Sequence, residues 1–369
     1  MQPAIHRPTR AIIDRQAIRN NFLHERQQLT SDKYIFAVVK ANAYGHGAVA
    51  VAKVLHELQV DGFCVATLDE ALELRQNGLQ EPILVLGITS VQDVQLAAEN
   101  DISLTAASLA WLEEAVNNLQ QPLKIHLAID SGMNRLGIRD RLEVIAATEF
   151  LLQETNLVAE GIFTHFATAD EPDVTYFNSQ ERKFRELICD VRTTFQYVHC
   201  ANSATALWHQ DVTSNVIRLG ISLYGLNPSG TVMKELPYSL HPALSLTSEV
   251  SYIKQLPAGQ KVGYGATYTT SSDEIIATIP IGYADGWLRR LSGSKIIIDD
   301  ELCPIVGRIC MDQLMVSVGH MVPVGTPVVL IGTQADLSIS ATDVANYSKT
   351  INYEITCNLS DRIPRTYIN

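Results

Sequence analysis

The stretch YIFAVVKANAYGHGAVAVAKVLHELQVDGFCVA, residues 34–66, contains the pattern that decides the fold. It opens with the apolar run YIFAVV (34–39), continues through a segment with helical spacing, and ends with a second apolar run, GFCVA (62–66). Short apolar runs that contain β-branched residues are typical of strands buried on both faces of a parallel sheet. The stretch therefore predicts a strand–helix–strand unit.

The same alternation continues to about residue 225. Six further strand-like runs follow: PILVL (82–86), ISLTA (102–106), LKIHLAI (123–129), LVAEGIF (157–163), YVHCA (197–201) and NVIRL (215–219). Segments with helical spacing separate them, such as LDEALELRQ (68–76) and FNSQERKFRELICDVRTT (177–194). Eight strand–helix units predict an α/β fold, a (β/α)8 TIM-like barrel. An open, doubly wound sheet has the same alternation and is the alternative.

The pattern changes after about residue 235. Strand-like segments such as EIIATIPIGY (274–283) and PVVLIG (327–332) are then separated by turn sequences, with few helices between them. We therefore predict three parts. They are an N-terminal strand (1–12) packed with the β domain, a barrel (13–235), and a mostly antiparallel β domain (236–369).

Composition and charge argue against several classes of protein. The 369 residues carry a formal net charge of −12, whereas a nucleic-acid partner requires a basic face. No apolar run approaches the length of about 18 residues that a membrane span needs. The N-terminus contains Pro3 and Pro8 and lacks the apolar core of a signal peptide, so we expect a cytoplasmic protein.

Reactive side chains of a barrel lie just after the carboxyl ends of its strands. Lys40 follows the first predicted strand, where an amine withdrawn from water can form a Schiff base. A lysine whose amine simply reaches solvent is the alternative. Ser203 follows the seventh strand at a predicted helix start, where hydroxyl and backbone N–H groups suit a phosphate. After the eighth strand, Gly220 and Ile221 indicate either a second phosphate contact or an ordinary turn.

Five sequence motifs occur along the chain in the order that one known family has them. They are VVKANAYGHG (38–47), GMNRLG (132–137), RLGISLYG (218–225), VGYGATY (262–268) and GRICMDQ (307–313). With these motifs the chain resembles the alanine racemases, from about residue 9 to Pro364. The resemblance implies an isomerase that depends on pyridoxal 5'-phosphate (PLP) and interconverts L- and D-alanine.

The resemblance assigns most of the cofactor contacts to the barrel. Lys40 would carry PLP and act as one catalytic base. Arg135 would contact the phenolic oxygen of PLP and the substrate carboxylate, and Arg218 would face the pyridine nitrogen. The other cofactor-binding residues that the resemblance implies are Tyr44, His165, His199, Ser203, Gly220, Ile221 and Tyr353.

Arg218 bears on which PLP reaction is favoured. Many PLP enzymes place an acid at the ring nitrogen, and barrel-type decarboxylases generally place a glutamate there. A guanidinium donates a hydrogen bond but keeps its own proton, so the ring nitrogen would stay unprotonated. The carbanionic intermediate is then shorter-lived, which favours return of a proton to Cα over side reactions.

Racemisation also needs a second base, because protons move on both faces of a planar intermediate. The motif VGYGATY assigns this role to Tyr264, which would face Lys40 across the cofactor and also contact the substrate. A chain of Tyr264, His165 and Arg218 would bring a positive field to the phenol and favour the phenolate. Met311 would bind the substrate carboxylate through its backbone N–H, and Tyr283 and Tyr353 would narrow the pocket.

One position departs from the family. Many members have a carbamylated lysine seven residues before the arginine that corresponds to Arg135, and this chain has Ala128 there. A buried arginine needs an anion or equivalent partner if it is to stay ordered. We infer that a bound chloride or a water network takes the place of the carbamate.

Other functions remain open at this point. A serine or broad-specificity amino-acid racemase is the nearest alternative, since one extra hydroxyl is hard to exclude sterically. A non-catalytic PLP-binding protein is the other, although such proteins typically lack the β domain. The resemblance further implies a homodimer with shared active sites and a supply of D-alanine for peptidoglycan. We predict no metal site and no membrane partner.

Overall fold

The computed structural model describes residues 2–209 and 211–369, and the chain divides into two compact units. The β unit comprises Met1–Ala17, Tyr44–Gly47 and Pro242–Asn369. The barrel unit comprises Ile18–Ala43 and Ala48–His241. Within the described ranges, none of the helices has the length and apolar character needed to cross a membrane.

Eight parallel strands form the sheet of the barrel unit and confirm the predicted (β/α)8 barrel. In chain order they are Tyr34–Val38, Gly62–Val65, Ile83–Val85, Ile102–Ala106, Leu123–Ala128, Leu157–Phe163, Tyr197–His199 and Val216–Leu219. The first strand pairs with both the second and the eighth. A parallel bridge between Ala201 and Ile217 links the end of the seventh strand to the eighth. The sheet therefore curls back on itself, which excludes the open-sheet alternative.

Helices connect the strands of the barrel unit. Their bounds are Arg15–Gln28, Ala48–Glu57, Leu68–Gln76, Val94–Glu99, Leu109–Val116, Arg141–Gln153, Thr175–Ile188 and Ser203–Trp208, with 3-10 turns at Arg192–Thr194 and Ile221–Tyr224. Local sequence explains several of the helix starts. The hydroxyl of Thr67 accepts a hydrogen bond from the Glu70 N–H, while the Glu70 carboxylate accepts from the Thr67 N–H, both at 3.3 Å. This reciprocal capping satisfies backbone donors at the start of Leu68–Gln76.

The strands of the barrel bury apolar side chains such as Ile35, Phe63 and Leu84, whose removal from water stabilises the fold. Five of the strands also bury a polar or charged side chain. These side chains come from five neighbouring strands, the fourth to the eighth: Ser103, His126, Glu160, His199 and Arg218. These five side chains form a polar line across neighbouring strands of the barrel, and the fourth strand also buries Thr105.

The β unit is mostly antiparallel, as predicted. Its strands are Arg10–Asp14, Leu244–Glu249, Tyr252–Leu256, Lys261–Val262, Tyr268–Thr269, Glu274–Ile279, Lys295–Ile298, Glu301–Val306, Leu314–Val318, Pro327–Gln334, Leu337–Ile339 and Arg365–Ile368. It also contains the helices Ala341–Ser348 and Asn352–Cys357, with 3-10 turns at Tyr264–Ala266, Tyr283–Asp285 and Arg289–Leu291. The N-terminal strand Arg10–Asp14 pairs antiparallel with Leu244–Glu249 and parallel with Arg365–Ile368, so both ends of the chain contribute to one sheet.

Two glycines of the β unit allow a test of its packing. Gly286 and Gly325 have nearly the same backbone angle, with φ at +96° and +94°. A Cβ at Gly286 would overlap the carbonyl oxygen of Asn358, whereas a Cβ at Gly325 would meet no atom within 4 Å. We expect Gly325→Ala to lose about 1–2 kcal/mol of stability from the left-handed backbone alone.

Gly286→Ala should lose clearly more, because the Asn358 carbonyl must also move. The measurement is the denaturant midpoint of each variant by circular dichroism. Equal shifts for the two variants would show that the close approach to Asn358 does not matter.

Candidate active site

The centre of the barrel site is Arg218, which lies in the eighth strand of the barrel and is only 3% exposed. One guanidinium nitrogen lies 2.6 Å from Nδ1 of His199. The other donates to the carbonyl oxygen of Thr164 at 2.9 Å and lies 3.3 Å from Nδ1 of His165. The seventh and eighth strands of the barrel, together with the segment that directly follows the sixth, therefore hold the guanidinium in one orientation.

Both imidazoles beside Arg218 are neutral. Burial, and then the positive charge of Arg218, hold the pKa of His165 and of His199 well below the ordinary histidine value. A neutral ring that receives a hydrogen bond at Nδ1 must carry its proton on Nε2. Arg218 therefore sets the tautomer of both rings, and each ring directs an N–H away from the guanidinium.

Lys40 lies directly after the first strand, half-buried and at the start of an unusual turn. The next four residues, Ala41 to Tyr44, have φ between 51° and 53°, which is left-handed helical geometry. L-residues adopt this geometry at a cost of roughly 1–2 kcal/mol each. Strain of this kind persists where the surroundings hold it and is concentrated at functional sites.

Hydrogen bonds made by Ala41 and Asn42 hold this turn within the barrel unit. The N–H of Ala41 donates to a Glu70 carboxylate oxygen at 2.7 Å, and the other oxygen of Glu70 accepts from the Ala66 N–H at 2.7 Å. The side chain of Asn42 accepts from the Ala48 N–H at 2.8 Å. Glu70 thus fixes the backbone that presents Lys40.

A group of polar atoms that suits a phosphate lies after the seventh and eighth strands. The helix Ser203–Trp208 begins at Ser203, as predicted, and the Ser203 hydroxyl oxygen accepts from the Gly220 N–H at 2.8 Å. Gly220 immediately precedes the 3-10 turn that begins at Ile221. The hydroxyl of Ser222 is buried and has no hydrogen-bond partner among the described residues. An oxyanion placed here would meet hydroxyl and backbone donors at two helix starts.

Arg135 lies in the loop after the fifth strand, and its side chain is exposed. Asp130 shapes this loop by accepting hydrogen bonds from the N–H groups of Gly132 and Asn134, both at 2.9 Å. The positive charge of Arg135 contributes to the lowered pKa of His165, so the two side chains lie in the same region. Ala128, where the resemblance implies a carbamylated lysine in many relatives, is buried and offers no charge to this loop.

Tyr264 belongs to the β unit, where two glycines shape its turn. Gly263 and Gly265 have φ of 74° and 72°. A Cβ on Gly263 would come within 2.9 Å of Met315, and one on Gly265 within 2.8 Å of the Arg308 guanidinium. The tyrosine between them is 70% exposed. The motif VGYGATY therefore builds a tight turn that projects a phenol from the surface of this unit.

Tyr283 and Met311 lie on two loops that are hydrogen-bonded to each other. The N–H of Tyr283 donates to the Cys310 carbonyl at 3.1 Å, and the N–H of Ala284 donates to the Met311 carbonyl at 3.0 Å. The buried carboxylate of Asp285 accepts from the Gly282 N–H and forms an ion pair with Arg7. Tyr283 and Met311 are therefore held on a braced pair of loops.

Tyr44 and Tyr353 lie together in the β unit. Their ring centroids are 6.0 Å apart, and Tyr353 is in the helix Asn352–Cys357. A Cβ at Gly45 would overlap the Thr356 carbonyl of that helix, so only glycine fits beside it. The segment Tyr44–Gly47 is thereby part of the β unit, although Lys40 belongs to the barrel unit.

The sequence-predicted residues divide between the two units. In the barrel unit these are Lys40, Arg135, His165, His199, Ser203, Arg218, Gly220 and Ile221. In the β unit they are Tyr44, Tyr264, Tyr283, Met311 and Tyr353. Sequence reasoning missed Glu70 and Asp285. The capping pattern TLDE (67–70) signals Glu70 as a helix cap, whereas no local pattern signals Asp285.

Comparisons with known proteins agree with this arrangement. Residues 13–228 match the family description "Alanine racemase, N-terminal domain", and residues 243–367 match "Alanine racemase, C-terminal domain". The alanine racemase of Latilactobacillus sakei is 52% identical over 368 residues, which cover 98% of this chain and 97% of that protein.

Solved structures show the same fold. A crystal structure of alanine racemase from E. faecalis superposes with a TM-score of 0.98 at 47% identity, covering 100% of both chains. A histidine racemase from Leuconostoc mesenteroides superposes with a TM-score of 0.94 at 35% identity, again over 100% of both chains. The chain is an enzyme of the isomerase class and belongs to the alanine racemase family.

Proposed function

We propose that this enzyme interconverts L- and D-alanine with PLP, and that it supplies D-alanine for peptidoglycan. The observation that carries the proposal is the buried Arg218, whose guanidinium lies between the neutral rings of His165 and His199. An acid at this position would serve other PLP reactions, whereas a guanidinium donates a hydrogen bond without losing its proton. The family resemblance and the relatives' names support alanine as the substrate.

The described residues fit the phosphate of PLP. The buried, unpartnered hydroxyl of Ser222 lies in the same cluster as the Ser203 hydroxyl and the Gly220 N–H. These groups, with the N–H of Ile221, would bind the phosphate oxygens, and Tyr44 and Tyr353 would add their phenols. Lys40 would hold the other end of the cofactor covalently.

When bound, PLP makes the Cα proton of an amino acid removable by delocalising the negative charge that remains. Arg218 would limit this delocalisation, since a guanidinium beside the ring nitrogen would donate a hydrogen bond to it without protonating it. Arg135 and the backbone N–H of Met311 would bind the substrate carboxylate. Lys40 and Tyr264 would then exchange protons with Cα from opposite sides.

The tautomer of His165 supports the role of Tyr264. Because Nδ1 of His165 faces Arg218, its proton is on Nε2 and can be donated to a phenolate oxygen. A hydrogen bond of this direction stabilises the deprotonated phenol, which is the form that acts as a base. His165 would therefore hold Tyr264 ready to accept the Cα proton.

A broader amino-acid specificity is the second candidate, and one observation favours it. The histidine racemase that superposes on this chain shows that the same fold serves a substrate with a large side chain. Tyr283 and Tyr353 would oppose that outcome here by narrowing the space beside Cα. Serine differs from alanine by one hydroxyl, so we expect discrimination against serine to be weaker than against histidine.

The assay of this function supplies PLP and separate L-amino acids to the purified enzyme and detects D-products by chiral chromatography. We expect D-alanine to form faster than D-serine, with little or no D-histidine. The enzyme should be yellow, and borohydride should attach the cofactor to the peptide that contains Lys40. Lys40→Ala should lower the rate by at least about a thousandfold, within the range of general-base contributions. Absence of D-alanine would refute the proposal.

A shared active site is the second part of the proposal. Lys40 belongs to the barrel unit and Tyr264 to the β unit. Tyr264, Tyr283 and Met311 are large side chains that are 70%, 42% and 52% exposed in the single chain. Exposed apolar side chains that form a contiguous patch can mark a surface that a partner covers. We propose a head-to-tail homodimer in which these residues serve the PLP held by the partner's barrel.

Mixed dimers test the shared site. Lys40→Ala and Tyr264→Phe should each be nearly inactive, but in a mixed dimer one site would collect both changes and the other neither. With random exchange half of the dimers are mixed, so activity should recover to roughly a quarter of wild type by that symmetry. A site within one subunit would recover nothing, because every site would keep one change.

Arg218→Glu tests the role of the guanidinium. A carboxylic acid at this position can protonate the ring nitrogen, which prolongs the charged intermediate. Racemisation should therefore fall, and a long-wavelength absorbance should appear when alanine is added. The measurement is the visible spectrum of the holoenzyme beside the rate of D-alanine formation. An unchanged spectrum together with an unchanged rate would contradict the role.

A further inference from the structure

A second set of buried polar groups lies behind Arg218, on the side of His199. Nε2 of His199 lies 2.8 Å from Nδ1 of His126, and Nε2 of His126 lies 3.0 Å from a carboxylate oxygen of Glu160. The same oxygen accepts the hydroxyl of Ser103 at 2.5 Å. None of these three residues, His126, Glu160 and Ser103, has a part in the reaction described above.

The hydrogen bonds of this set can run in only one direction. Arg218 donates to Nδ1 of His199, so the proton of His199 is on Nε2 and is donated to Nδ1 of His126. The proton of His126 must then be on its Nε2, where it is donated to Glu160. Two neutral imidazoles thus connect a guanidinium to a carboxylate.

This connection can balance the buried positive charge of Arg218 with the negative charge of Glu160. A buried cation is costly unless an anion compensates it, and among the described residues no carboxylate forms an ion pair with Arg218. The neighbouring thiols of Cys64 and Cys200 are neutral, because burial raises the pKa of each to about 12. Burial tends to raise the pKa of Glu160, but the hydrogen bond and electrostatic interaction with His126, the hydrogen bond from Ser103 and the charge of Lys124 together outweigh burial and lower that pKa.

The other groups that face Glu160 leave its negative charge in place. Burial, followed by the charge of Glu160, raises the pKa of the Tyr197 phenol to about 12, so this ring is neutral. Lys124 is the remaining charged neighbour, and its amine pairs with Asp101 at 2.6 Å. Gly161 provides the space for the relay, since a Cβ there would overlap the His126 ring.

We propose that Glu160 is the counter-charge of Arg218, joined to it by His199 and His126, and that this relay sets the charge and direction of the hydrogen bonds that Arg218 offers the cofactor ring. The relay deepens the proposed function and rests on it. Glu160, His126 and His199 act here through Arg218 and are positioning residues. Glu160 then compensates the positive charge of Arg218 from a distance. No carboxylate is needed beside the ring nitrogen, where it could compete for the same proton.

Three variants separate charge from hydrogen bonding. Glu160→Gln keeps an oxygen that can accept from His126 but removes the charge, whereas Glu160→Asp keeps the charge on a shorter side chain. Glu181→Gln is the matched control, because Glu181 is a similarly buried, hydrogen-bonded carboxylate of the same unit, with 12% of its side chain exposed against 10% for Glu160. Glu181 accepts from Arg185 and Thr213 rather than from the relay.

The readouts are the pH profile of D-alanine formation and the pH dependence of the absorbance of bound PLP. Removal of a negative charge raises the positive potential at the site, which favours deprotonated neighbours and moves both curves to lower pH. At a separation of roughly 10 Å and an effective dielectric constant of about 20, the shift is about one pH unit. We expect this shift in Glu160→Gln, a clearly smaller one in Glu160→Asp, and none in Glu181→Gln.

Curves of Glu160→Gln that superimpose on those of wild type would overturn the relay, as would equal shifts in all three variants. A wild-type enzyme that forms no D-alanine would instead refute the proposed function. Nitrogen NMR of histidine-labelled wild-type holoenzyme tests the relay without relying on the fold of a variant, with signals assigned by loss in His126→Gln and His199→Gln. Both rings should be neutral and protonated on Nε2, and a ring that is cationic or protonated on Nδ1 would overturn the proposal.

Discussion

The buried positive charge of Arg218 is the constraint on which the rest of the barrel site depends. A guanidinium withdrawn from water must have its donors satisfied, and here the acceptors are two imidazole nitrogens and the Thr164 carbonyl. Because the guanidinium keeps its proton, it obliges both imidazoles to be neutral acceptors on one side and donors on the other. One fixed charge therefore determines where both imidazole rings carry their protons.

The residues around this charge differ in rigidity and in origin. Arg218 and His199 lie on strands whose positions are fixed by the ladder of the barrel, and Thr164 and His165 directly follow a third strand. Lys40 instead begins a left-handed turn that is held by Glu70 and Asn42. The charge of Arg218 is thus held rigidly, which keeps the electrostatic environment of the site constant. The amine of Lys40 is placed by a strained turn.

Sequence patterns predicted the strands well, because strands buried on both faces are continuous apolar runs, and runs such as ISLTA (102–106) match their strand. Periodicity could not distinguish a barrel from an open sheet, since closure depends on the pairing of Tyr34–Val38 with Val216–Leu219. Motifs supplied the candidate site residues. They could not identify Asp285 or Glu160, whose partners lie far away in the sequence and are found only by folding.

The residues proposed to select the substrate and those proposed to control the charge beside the cofactor ring lie in different parts of the chain. The groups proposed to hold the cofactor ring, Arg218 and His165, lie in the barrel unit, whereas the proposed pocket walls, Tyr283 and Tyr353, lie in the β unit. A histidine racemase has the same fold at 35% identity. Because the charge on Arg218 is balanced inside the barrel, a change of pocket wall need not disturb it. Specificity can then vary without loss of the electrostatic environment that favours racemisation.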